Sequence, residues 1–150
     1  MARRSASTRR IILLFFLALF LFCRPEPSLS ETASPLTISP ARHDFGFMGV
    51  GSASPPIVFT INNKSALSQT ISQITLAKRG DFTLDLNGGE NPCGRGNPTL
   101  GPGESCTVTL SFRPFAMGRV NGSLRVKTAG PGPALESSAL LRGLSIACGC

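Results

Sequence analysis

Thiols have the most chemical reach of any side chains in this sequence, which holds five: Cys23, Cys93, Cys106, Cys148 and Cys150. Cys148-Gly149-Cys150 sets two of them one residue apart. That spacing could chelate a soft metal such as Cu(I), exchange disulfides or link to another chain. The plainer reading is a frayed tail whose thiols close on each other or stay capped. A metal centre needs more ligands, and His43 is the only imidazole in the chain. Nothing in the sequence brings it to the tail, and it reads as a surface turn residue. Asp81 and Asp85 would share a strand face across Thr83. Paired carboxylates work as acid and base in a cleft, and these two read instead as a solvated edge. A Ser/His/Asp site would have to use His43, with no nucleophile elbow. No catalytic residue, cofactor site or enzyme activity is assigned. Asn63-Lys64-Ser65 and Asn121-Gly122-Ser123 match the glycosylation acceptor pattern, a short match that is common by chance.

The compartment decides what the other cysteines do. Residues 1–10 carry Arg3, Arg4, Arg9 and Arg10, and residues 11–22 form an unbroken apolar run. A membrane span needs about 20 apolar residues, so the run reads as the core of a secretory signal. Cleavage is expected after Ser30, where Ser28 and Ser30 supply the small side chains a signal peptidase accepts, and Pro25 and Pro27 break the helix just before it. Three rivals use the same stretch. Cys23 ends the apolar run where a lipoprotein is acylated, but Phe22 is bulky where a small residue is required. Arg9-Arg10 could mark twin-arginine export, but the following residues are very apolar for that route. An uncleaved anchor would follow if the helix ran through Cys23. Loss of the segment removes Cys23 and leaves four cysteines, an even number that points to disulfides in an exported chain. Cys93 and Cys106 flank a Gly/Pro-rich loop and are the expected pair; in a cytoplasmic protein both would stay reduced. Closing a loop of that length contributes about 3 kcal/mol, against a net domain stability of about 5–15 kcal/mol.

Charge and aromatic content narrow the partners. The net charge is +7. Residues 1–30 hold five Arg and one Glu, which leaves +3 for the remainder. Lys78-Arg79 is the only adjacent basic pair in that remainder, and no basic stripe is legible, so nucleic acid is not an expected partner. Trp and Tyr are absent, and all the aromatic residues are Phe apart from His43. Sugar and base platforms favour Trp or Tyr, so the Phe residues read as core filling.

The elements that must position these residues are strands. Cys106, Val108, Leu110 and Phe112 alternate with Thr107, Thr109, Ser111 and Arg113, which puts one set on each face of a strand. Pro114 ends that strand and Gly118 turns the chain. Val120, Gly122, Leu124 and Val126 then alternate with Arg119, Asn121, Ser123 and Arg125. Upstream, Leu36-Thr37-Ile38-Ser39 is a short strand stopped by Pro40. Residues 44–51 form a kinked edge strand with Phe45, Phe47 and Val50 facing inward. Ile57, Phe59 and Ile61 form a strand ended by the polar Asn62-Asn63-Lys64-Ser65. In residues 70–76 the apolar spacing slips, and a β-bulge near Ser72-Gln73 would restore it. Phe82, Leu84 and Leu86 alternate next, residues 87–105 form a long loop, and residues 137–145 a last strand with Ala139, Leu141 and Gly143 on one face. No amphipathic helix is legible. The pattern predicts an all-β, immunoglobulin-like antiparallel sandwich of about seven strands over residues 36–146. A signal segment (1–30) and a flexible lead-in (31–35) precede it, and a Cys-Gly-Cys tail (147–150) follows.

A set of ordered motifs carries a resemblance. It runs through Ile38-Ser39-Pro40, Asp44-Phe45-Gly46, Val50-Gly51, Phe59-Thr60-Ile61-Asn62-Asn63, Phe82, Cys93 and Leu100-Gly101-Pro102-Gly103-Glu104-Ser105-Cys106. It continues through Phe112-Arg113-Pro114, Gly118, Gly122 and Leu141-Arg142-Gly143. The chain resembles the choice-of-anchor D domain of bacterial exported proteins. It is similar to Hydin and abnormal-spindle type modules and, more remotely, to major sperm protein and pilus-chaperone sandwiches. The resemblance implies a seven-stranded immunoglobulin-like sandwich used in surface and periplasmic proteins, without catalytic residues. The expected function is that of a non-catalytic structural, adhesion or protein-binding module of a bacterial cell envelope. Its partner would be another envelope or surface protein, met by edge-strand addition, with membrane contact only through an uncleaved N-terminal segment. The alternative is a small periplasmic thiol or soft-metal-handling protein acting through Cys148 and Cys150.

Overall fold

The computed structural model describes residues 34–77, 80–129 and 134–147. The signal segment with Cys23, most of the lead-in, Lys78-Arg79 and the Cys148/Cys150 pair lie outside the described residues. Extended backbone dominates the rest, because most segments alternate apolar and polar side chains or carry β-branched residues. Nine strands occur among the described residues: β1 (Leu36–Ser39), β2 (Arg42–Gly49), β3 (Ile57–Asn63), β4 (Gln69–Ala77), β5 (Phe82–Asp85), β6 (Thr99–Leu100), β7 (Ser105–Phe112), β8 (Gly118–Ala129) and β9 (Glu136–Ile146). They form a four-stranded sheet, β1-β3-β7-β5, and a five-stranded sheet, β2-β9-β8-β4-β6. All pairings are antiparallel except β2 with β9. At Pro40 the first strand leaves one sheet and enters the other. The β7–β8 corner at Pro114 makes the same crossing, so the two alternating runs that dominate the sequence face each other across the core.

The two inner faces interlock by size. Cys106, Val108, Leu110 and Phe112 are buried from β7, and Val120, Leu124 and Val126 from β8. Rings from three strands meet in the middle: Phe82 and Phe112 lie 5.1 Å apart between centroids, and Phe45 lies 5.7 and 5.9 Å from them. The opposite sheet makes room with glycine. A Cβ on Gly143 would sit 2.5 Å from the Phe112 ring, and one on Gly122 would sit 2.8 Å from the Phe82 ring. Both glycines occupy inward positions of an alternating strand for that reason.

Two expectations need correction. Phe47 is 70% exposed. The β2/β9 register shifts between Asp44 and Phe47, with Gly46 at φ 69° and its N–H donating to Asp44 Oδ1 at 2.9 Å. That bulge adds a residue, so Phe45 and Met48 pack on the core while Phe47 turns outward. His43 is not a turn residue. It lies in β2, half-buried, with its ring edge-on to Phe45 at 4.6 Å and Phe59 at 6.3 Å. Asn63 continues the inward set of β3 and is fully buried; its Nδ2 donates to the carbonyls of Leu67, Leu100 and Gly101 at 2.7, 2.9 and 3.0 Å. The bulge expected near Ser72 is present between Ile71 and Gln73.

Candidate protein-docking face

The residues singled out for chemistry that lie among the described residues are dispersed and occupied by structural work. Cys93 and Cys106 are bonded, with S–S at 2.02 Å and 13 residues of separation. The loop before β6 runs beside β7 where β5 has ended: Cys93 N–H donates to the Thr107 carbonyl at 2.9 Å, and Thr107 N–H to the Asn91 carbonyl at 2.7 Å. The bond thus ties a substitute edge onto the sheet. Asp81 Oδ1 accepts from Phe115 N–H at 3.1 Å, tying the start of β5 to the β7–β8 corner, and Asp85 Oδ1 accepts from Asn87 N–H at 2.9 Å, closing the turn after β5. Asn63 has its amide committed inside the fold and cannot receive a glycan there; Asn121 is exposed. Among the described residues no group of three His, Cys, Asp or Glu side chains is placed to hold a metal ion.

What the fold does assemble is a charged outer face on the five-stranded sheet. Period two sends Arg42, Asp44, Arg119, Asn121, Arg125, Lys127, Glu136, Leu140, Arg142 and Leu144 outward from β2, β8 and β9. Glu136 is taken by Arg125 at 3.5 Å and Lys127 at 3.6 Å, the ion pairs found among the described residues. Asp44 caps the Gly46 N–H. Arg42, Arg142 and Arg119 remain exposed and make no ion pair among the described residues, with Asp44 the carboxylate nearest to them in register. The register pairs Arg42 with Leu140, Asp44 with Arg142, and Arg119 with Leu144. The three guanidinium groups therefore start from successive diagonal positions on three adjacent strands, about 7–8 Å apart. Sequence reading shows no basic stripe because these residues are far apart in the chain; only pairing of β2, β9 and β8 lines them up. A depression of about 490 Å³ crosses this face, lined by Asp44, Gly46, Phe47, Arg119, Asn121, Arg142, Gly143 and Leu144.

A second surface lies where the sheets part. β6 covers only Gln69 and Thr70 of β4, so on the side away from β8 the β4 edge from Gln73 to Ala77 has no strand beside it among the described residues. Between that edge and β5 runs an apolar seam of about 440 Å³, which includes Ile74, Leu76, Phe82, Leu84 and Leu86. The β2 edge is less inviting to a strand, because its bulge interrupts the ladder.

Solved structures place this architecture. PapD-like domain 7 of human CEP192 superposes with a TM-score of 0.61 at 13% identity, over 83% of this chain and 94% of that one. The fold is that of PapD-like immunoglobulin sandwiches. The Vibrio cholerae VesB protease matches with a TM-score of 0.57 at 18% identity, over 73% of this chain and 32% of that chain. The YadV chaperone matches with a TM-score of 0.53 at 13% identity, over 74% of this chain and 52% of that chain. This chain thus spans about a third of the protease and half of the chaperone. No family model and no curated protein matches the sequence.

Proposed function

We propose that this chain is an exported, non-catalytic immunoglobulin-like module of a bacterial cell envelope that binds another protein. The observation that carries the reading is the open β4 edge above an apolar seam, on a sandwich whose interior is filled by side chains. The N–H and C=O groups along Gln73 to Ala77 that point away from β8 offer a ladder to an extended segment, and Ile74, Leu84 and Leu86 offer apolar contact to its alternate side chains. The likeness to a chaperone, a class of protein that acts on other polypeptides, supports a binding role. The likeness to a protease is one of fold, and the lone His43 is packed between Phe45 and Phe59 in place of facing a nucleophile. The Cys93–Cys106 bond fits an oxidising compartment.

A photo-reactive residue at Thr75, on β4, tests the reading against one at Thr60, on the outer face of the other sheet. A single cross-linked partner of defined mass is expected from Thr75 in envelope fractions, and none from Thr60. Equal capture from both positions, or capture from neither, would sink it.

A further inference from the structure

We infer that the outer face of the five-stranded sheet holds an extended acidic segment of a partner protein, with carboxylates at every second residue set against Arg42, Arg142 and Arg119. The inference rests on the protein-binding reading but uses a different surface from the β4 edge. Its first support is the unbalanced charge. Five cations and two carboxylates point outward from β2, β8 and β9, an excess of three positive charges; one carboxylate is shared by Arg125 and Lys127, and the other, Asp44, stands opposite Arg142 while accepting from the Gly46 N–H. Three neighbouring guanidinium groups with Asp44 as the one carboxylate among them leave this part of the face with a net positive charge.

Its second support is spacing. Diagonal neighbours on a sheet stand about 7–8 Å apart, and alternate residues of an extended chain advance about 6.6–6.8 Å. An extended segment lying along the diagonal presents one carboxylate to each guanidinium in turn, where charge-assisted hydrogen bonds form. Leu140 borders the line on one side, and Phe47 with Leu144 on the other, exposed or half-buried. They cover the methylene stems of the acidic residues.

Shape and charge choose a peptide over the other anionic or local occupants. The depression between the Asp44–Arg142 and Phe47–Leu144 rows is concave, which a lipid surface does not follow. The N-terminal residues of this chain, with five Arg in 1–30, have the wrong sign to fill it.

The test titrates the purified protein with a synthetic Glu-Thr repeat peptide, and with a peptide of the same composition whose Glu and Thr are in separate blocks. The repeat is expected to bind more tightly and to shift the amide resonances of β2, β8 and β9. Arg119→Glu with Arg142→Glu is expected to weaken it by about tenfold or more; Arg95→Glu, a cation on the loop before β6, is expected to leave it unchanged. If the double reversal unfolds the protein, as judged by its circular dichroism, Arg119→Gln with Arg142→Gln takes its place. Equal affinity for the block peptide, or repeat binding that ignores the Arg variants, overturns the inference. So does Arg-dependent binding of phosphatidylglycerol vesicles, of duplex DNA or of a second copy of this chain in place of the repeat peptide. A cross-linked partner at Thr75 without any binding of the repeat would remove this inference and leave the binding module standing.

Discussion

Asn63 and Gly143 show how single positions hold this fold. The Asn63 amide serves three carbonyls, and its Oδ1 accepts from Ser65 N–H and Ser65 Oγ–H at 3.0 and 2.8 Å. It joins the end of β3 to the turn after β6, in a site closed to water. Replacement by Ala removes the donor to the buried Leu100 contact, and a loss of roughly 1–3 kcal/mol is expected, read from urea unfolding. Gly143→Ala acts by the opposite means, driving a methyl into the Phe112 ring. Overpacking of this kind costs about 1–3 kcal/mol, and a paired Phe112→Leu change should recover part of it, which a double-mutant cycle would measure. An unchanged unfolding midpoint for Gly143→Ala would contradict the packing described. The sequence marks Gly143 as inward-facing, but the reason for its size lies on the opposite sheet. Asn63 ends β3 as its polar neighbours imply, but its burial depends on the Leu100 and Gly101 carbonyls brought in from a distant segment.

At the scale of elements, regular alternation is what makes β3, β7, β8 and β9 readable, since each has one face committed to the core. The elements that escape are those whose pairing breaks the period. β2 carries the Gly46 bulge, so the inward set passes from Phe45 to Met48 and not to Phe47. Phe45→Ala, at a partly buried position, is expected to cost roughly 1–3 kcal/mol, and Phe47→Ser no more than about 0.5 kcal/mol; equal losses would mean the bulge is misplaced. β6, only two residues long, is specified by its partners Gln69 and Thr70 and not by its own pattern. The long loop before it looks featureless in sequence, yet lies on β7 as an edge fastened by Cys93–Cys106. Reduction of that bond, or Cys93→Ser with Cys106→Ser, is expected to lower stability by about 3 kcal/mol. Unfolding with and without reductant gives the measurement.

For the molecule as a whole, charge is unevenly divided between the two sheets. The outward positions of β3 and β7 are mostly Thr, Ser and Asn, whereas those of β2, β8 and β9 carry five of the cations. The proposed export also belongs to this scale. The N-terminus of protein recovered from the envelope is expected to be Glu31, and Edman sequencing or intact mass checks it; an intact or lipid-bearing N-terminal segment would favour one of the rival readings. By itself the sequence determined the all-β class, the inward sets of its regular strands, the bulge in β4 and the candidate disulfide pair, because alternation and local turn chemistry are properties of neighbouring residues. Tertiary structure alone decided which strands share a sheet, where Phe47 and Asn63 point, and that Arg42, Arg142 and Arg119 form a line. Those outcomes depend on register between segments distant in the chain, and a one-residue shift in register carries a side chain to the opposite face.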